Sequence, residues 1–127
     1  MKVILVDALH TFVIEGEGIY KPLHELLETY PNRKIILTNA NAEQMVEFGL
    51  TGLPYEIFTL NFNPGKAEPA FFKTMLAHFD LTPEDGIYFE HNPDAVKSAE
   101  SVGIVSYYYD AAQKDVSALK NFLDANL

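Results

Sequence analysis

The chain switches between two hydrophobic periods from one end to the other, and this alternation constrains its fold more than any single residue. Val3-Ile4-Leu5-Val6 is apolar without a break, as a strand buried on both faces should be. Leu23, Leu26, Leu27 and Tyr30 then follow at helical spacing, and Pro31-Asn32 stops the helix. The cycle repeats four more times. Lys34 to Thr38, Tyr55 to Leu60, Gly86 to Phe89 and Ile104 to Tyr108 read as strands. Between them, Asn41 with Gln44 forms a capping box for a short helix that Gly49 closes. Pro69 opens a helix carrying Phe71, Phe72, Met75, Leu76 and Phe79. Asn92-Pro93 opens another that Gly103 ends, and Asp115 caps a last one bearing Val116, Leu119, Phe122 and Leu123. Strands and helices alternating so regularly predict an α/β three-layer sandwich: a five-stranded parallel Rossmann-like sheet with helices on both faces.

A length of 127 residues predicts one domain over 1–127 with a real core. The formal net charge is −9 and no Lys/Arg cluster interrupts it, which argues against nucleic-acid and anionic-membrane partners. No run approaches the ~20 residues of a membrane helix. The first apolar stretch is broken at Asp7 and lacks a small-residue cleavage site, so no signal peptide is expected there. The chain has no cysteine, which excludes disulfides and Cys-based zinc and fits a cytoplasmic location. Its histidines show no zinc spacing, and there is no Gly-rich nucleotide fingerprint or Gly-x-Ser-x-Gly elbow.

Ligands bind open α/β sheets at the carboxyl ends of the strands. Four polar positions should therefore meet on one edge: Asp7 after strand one, Thr38-Asn39 after strand two, Lys66 in the loop before the third helix, and Glu90-His91 after strand four. Each has a plainer reading too. Asp7 suits a turn, Thr38-Asn39 a helix approach, Lys66 a solvated surface, and His91 a hydrogen-bonded structural role.

The order of these positions resembles the haloacid dehalogenase (HAD) superfamily, whose members are mostly Mg²⁺-dependent phosphatases. The first motif, Asp-x-Asp-x-Thr after a hydrophobic strand, stands here as Asp7-Ala8-Leu9-His10-Thr11. The second matches Thr38, the third Lys66 in Gly65-Lys66-Ala67-Glu68-Pro69, and the fourth falls on Ile87-Tyr88-Phe89-Glu90-His91-Asn92-Pro93. The resemblance covers nearly the whole chain. It implies Asp7 as nucleophile and Thr38, Asn39 and Lys66 as holders of phosphoryl oxygens. It further implies Asp7 as a carrier of Mg²⁺, with Glu90 as the nearby carboxylate that could stand in for the family's fourth-motif acid. Only residues 12–19 separate the first motif from the next helix, so the resemblance implies a capless core with that segment as a flap.

Two departures bear on the chemistry. Leu9 stands where the family's second Asp transfers protons, a loss of about 10²–10⁴-fold in rate. His91 takes the main metal-carboxylate position and Ala95 the secondary one, which weakens an Mg²⁺ site because the ion prefers oxygen ligands. Glu90 is offset by one residue and so is expected on the opposite face. Glu15 and Glu17 on the flap are expected to repel a phosphate. The resulting expectation is a weak or degenerate phosphatase acting on a small phosphorylated molecule. Its rivals are a non-catalytic binding module for a protein partner or small anion and, because Asp7-Ala8-x-x-Thr11 is also the dehalogenase form, a dehalogenase-like hydrolase. An open cleft and the run Tyr107-Tyr108-Tyr109 leave room for a homodimer.

Overall fold

The computed structural model describes all 127 residues. Its main sheet contains β1 (Val3–Asp7), β4 (Lys34–Leu37), β5 (Glu56–Phe58), β6 (Gly86–Glu90) and β7 (Val105–Tyr108). The spatial order is β5-β4-β1-β6-β7 and every neighbouring pair is parallel. β1 therefore lies at the centre, where both edges are hydrogen-bonded and both faces covered. A small antiparallel hairpin, β2 (Val13–Ile14) with β3 (Gly18–Ile19), stands between β1 and the first helix.

Helices α1 (Lys21–Glu28), α2 (Ala42–Glu47), α3 (Pro69–His78) and α4 (Pro93–Ser101) supply the crossovers, and α5 (Val116–Asn126) follows the last strand and packs back on the sheet. Local chemistry fixes their ends. Asn41 accepts from the Gln44 N–H while Gln44 returns a bond to the Asn41 N–H. Asn92 accepts from Asp94 and Asp115 from Ala118, each satisfying one otherwise orphaned helix donor.

Strand alternation divides the core in two. Ile4, Val6, Ile36, Ile87 and Phe89 point to the face packed by Leu23 and Leu27 of α1 and Leu119 and Leu123 of α5. Val3, Leu5, Ile35, Leu37 and Tyr88 point to the other, against Phe71, Phe72 and Met75 of α3 and Ala99 of α4. Each fully buried large side chain contributes about 1.5–3 kcal/mol, so the two layers together hold the sheet. The same alternation continues to the carboxyl edge. Asp7 follows Leu5 onto the α3/α4 face, and Glu90 follows Tyr88 onto it.

The third strand is shorter than its sequence suggests, covering Glu56–Phe58 rather than Tyr55 to Leu60. The Tyr55 hydroxyl is drawn outward to Glu28 at 2.6 Å, and the Thr59 hydroxyl donates to the Ala40 carbonyl at 2.6 Å. The tyrosine run splits as well. Tyr109 is buried, Tyr107 stacks on Phe122 with ring centres 5.1 Å apart, and Tyr108 remains exposed. No helix is long and apolar enough to cross a membrane.

Candidate active site

Asp7 leaves the central strand into a tight turn. The Ala8 carbonyl accepts from the N–H groups of Thr11, Phe12 and Val13 at 3.2, 2.9 and 3.0 Å. His10 takes φ +70° to make this possible, a left-handed conformation that costs a side-chain-bearing residue about 1 kcal/mol. The turn swings Thr11 back, so its hydroxyl donates to Asp7 Oδ2 at 2.6 Å.

Lys66 reaches the same carboxylate from the loop before α3. Its backbone N–H donates to Asn39 Oδ1 at 2.8 Å, which fixes the loop to the end of β4. Its ammonium donates to Asp7 Oδ1 at 2.7 Å, to Glu90 Oε1 at 2.7 Å and to the Leu37 carbonyl at 3.2 Å. This lysine is buried, not solvated. Glu90 is fully buried and also receives the Tyr88 hydroxyl on Oε1 and the Asn92 N–H on Oε2 at 3.0 Å.

The expectation that Glu90 would face away needs correction. Register places Leu5 opposite Tyr88 and Val6 opposite Phe89, so the next pair across the strands is Asp7 and Glu90. His91 joins them because the strand ends at Glu90 and the chain turns. The His91 N–H donates to Asp7 Oδ2 at 3.2 Å, and its Nδ1 contacts Asp7 Oδ2 and, at 3.2 Å, Glu90 Oε2. Tyr88 and Thr11 complete the network. Thr11 was visible only as part of a motif, and Tyr88 gave no signal beyond standing two residues before Glu90.

Electrostatics follow from these contacts. Burial alone would raise the Asp7 pKa, but the Lys66 ammonium and the His91 hydrogen bond overcome it and hold the carboxyl well below the usual range. Burial would likewise lower Lys66, yet Asp7 and Glu90 raise it. Hydrogen bonds to Asp7 and Glu90 lift His91 to about 9, against a smaller effect of burial. At neutral pH two cations thus face two buried acids.

These groups line a cleft of about 250 Å³ at the carboxyl edge of the sheet. Asp7, Thr38, Asn39, Lys66 and Glu90 all border it, whereas Glu15 and Glu17 of the hairpin do not. The Thr38 hydroxyl accepts from the Ala40 N–H at 3.2 Å and keeps its own proton for another partner. Asp7, Glu90 and His91 each offer one ligand atom within 4.8 Å of the others, a spacing able to surround a cation. One of the three ligands is an imidazole, and all four carboxylate oxygens already contact protein donors.

Comparison with solved structures identifies the fold that carries these residues. A HAD-family enzyme from Bacteroides thetaiotaomicron, solved as a magnesium complex, superposes with a TM-score of 0.72 at 15% identity, covering 94% of this chain and 98% of that one. The fold is the haloacid dehalogenase core. An Asp-to-Ala mutant of the same HAD enzyme, in complex with magnesium and inorganic phosphate, aligns at TM-score 0.69 and 14% identity over the same shares. The HAD fold also relates this chain to a D,D-heptose 1,7-bisphosphate phosphatase from Burkholderia thailandensis. There the TM-score is 0.56 and identity 11%, over 92% of this chain and 85% of that one. No family model and no curated protein matches the sequence.

Proposed function

We propose that this chain is a degenerate phosphohydrolase of HAD type, which binds a small phosphorylated molecule and transfers its phosphoryl group slowly to Asp7. One observation carries the reading: Asp7 Oδ1 lies 2.7 Å from the Lys66 ammonium at the carboxyl end of the central strand, beside the Thr38 hydroxyl in one cleft. A carboxylate held ionised is a competent nucleophile, and a lysine and a hydroxyl are suitable partners for phosphoryl oxygens. In the step proposed, an Asp7 oxygen bonds to phosphorus, the ester P–O bond breaks, and the departing oxygen takes a proton. Leu9 cannot supply that proton, so the leaving group must draw it from solvent.

Mg²⁺, where bound by Asp7 and Glu90, would supply charge neutralisation for the phosphoryl oxygens. We assign it a weakened site here, because His91 and Lys66 already serve as counter-charges to both acids. The absence of cysteine is in keeping with a cytoplasmic setting.

A second reading, a non-catalytic anion-binding module, is favoured by one specific observation. Asp7 accepts from Thr11, Lys66 and the His91 backbone and contacts the His91 ring as well, which leaves little free lone-pair density for attack. A panel of phosphate esters, assayed with and without Mg²⁺ on wild type and Asp7→Asn, separates the two. Slow turnover abolished by Asp7→Asn supports the hydrolase. Turnover that survives Asp7→Asn removes Asp7 as nucleophile. Turnover found only in a Leu9→Asp, His91→Asp double variant makes the natural chain a disabled, non-catalytic relative.

A further inference from the structure

Phe62 is the residue least explained by folding. Its side chain is 68% exposed, so it gains little from burial. Its φ is +64° and that of Asn61 before it is +54°, two successive left-handed residues in which an aromatic side chain is strained. A residue that is both strained and unburied is held in place by its surroundings rather than by its own packing.

Those surroundings are well defined. The Thr59 hydroxyl ties the loop to the Ala40 carbonyl at 2.6 Å and accepts from the Asn61 N–H at 3.0 Å. The Asn63 N–H donates to the Leu60 carbonyl at 3.0 Å. The Phe62 ring lies over Gly65, where a Cβ would come within 3.1 and 3.2 Å of its carbons. Gly65 thus permits the ring to sit on the loop that delivers Lys66. Phe62, Phe48 and Leu9 line the same cleft as Asp7, Thr38 and Lys66, so one pocket presents apolar side chains beside polar ones. At about 250 Å³ it falls below the ~300–1,000 Å³ of pockets for drug-sized ligands, which leaves room for a phosphoryl group and one ring.

We propose that Phe62, with Phe48 and Leu9, is a specificity wall that selects phosphoryl groups carried on an aromatic ring. The proposal rests on the anion-binding reading of the polar set (the floor) and adds the chemistry of the attached group. Aromatic pairs gain from offset or edge-to-face contact beyond simple area burial, and an aryl group on a phosphoryl bound in the same pocket meets this wall. Position 9 contributes through the same substitution that removes the proton donor. A leucine there is apolar, and an aryloxide departs with less need of protonation than an alkoxide.

The test uses phenylphosphonate and methylphosphonate as probes, titrated into wild type, Phe62→Ser and Phe62→Tyr and followed by ¹H–¹⁵N chemical shifts. Phenylphosphonate should bind wild type about tenfold more tightly. The ratio should fall to within about twofold in Phe62→Ser, and Phe62→Tyr should restore it. A phosphotyrosyl peptide that binds as tightly as phenylphosphonate supports the wall and places the ring on a polypeptide; weaker peptide binding supports it with a free small molecule. Equal affinity of the two phosphonates for wild type, or a ratio unchanged by Phe62→Ser, overturns the wall while leaving the floor intact. No shift with either phosphonate overturns the floor reading, and the wall with it.

Discussion

Replacing Lys66 with Met keeps most of the apolar stem and deletes the ammonium, which tests the central contact directly. That ammonium donates to Asp7, Glu90 and the Leu37 carbonyl. Both acidic side chains are about 1% exposed, and without Lys66 only His91 remains in ionic contact with them. Removing one partner from a buried ion pair costs about 3–5 kcal/mol, because the remaining charge stays out of water. For a domain of this size each 1 kcal/mol moves Tm by about 4 °C, so Lys66→Met should melt about 12–20 °C lower at pH 7. The sign of the pH dependence is a sharper check. In the wild type the Asp7 pKa is held below its ordinary 3.8, so its contribution is present above that value and lost as pH falls through the folded pKa. In Lys66→Met burial acts with less opposition, Asp7 shifts upward, and the folded form binds a proton more readily than the unfolded form. The gap between variant and wild type should therefore narrow from pH 7 to pH 5. Urea titrations followed by far-UV circular dichroism measure both quantities. A loss under about 1 kcal/mol, or a gap that stays constant over that range, would refute the claim of a dry, internally neutralised site.

Three further outcomes follow from the same geometry. His91, raised from 6.5 to about 9, contributes stability that is fully present below pH 6.5 and lost as pH rises through about 9, at most about 3 kcal/mol; His91→Gln should flatten the urea midpoint over that window, and an unchanged slope contradicts the assignment. Thr11→Val removes the 2.6 Å bond to the Asp7 carboxylate and should cost about 1.5–3 kcal/mol in chemical denaturation; a neutral result means the hydroxyl does not hold Asp7. The buried Tyr109 hydroxyl has no hydrogen-bond partner among the protein's own groups, so Tyr109→Phe should raise stability by about 1 kcal/mol, and a loss of similar size would reveal a bound water as its partner.

Much of the fold was readable in local pattern. The capping pair Asn41 and Gln44, the stop at Gly49, and the Asp115 cap depend on residues within a few positions of one another, so short-range sequence suffices. The local pattern overextends the third strand, because side-chain bonds from Tyr55 and Thr59 to distant partners lie outside the ladder. At the site, Asp7, Thr38 and Lys66 were traceable from position alone. Alternation alone turns Glu90 away from the site, whereas its true direction follows from strand register and from where the strand ends, which nothing local states. Phe62 gave no signal, because a left-handed backbone at an aromatic residue is set by the loop around it.

The chain by itself determined the class of architecture, the helix ends and the set of polar residues gathered at one sheet edge. Periodicity and capping are short-range properties that each segment carries alone. Tertiary structure decided how the charges are paired. Asp7 meets Lys66 and His91, which lie 59 and 84 positions further along the chain. Those meetings exist only because β1 is inserted between β4 and β6, with α3 packed on the face that Asp7 and Glu90 share. A buried charge takes its state from whatever lies within a few ångströms, and that neighbourhood is a property of the assembled sheet.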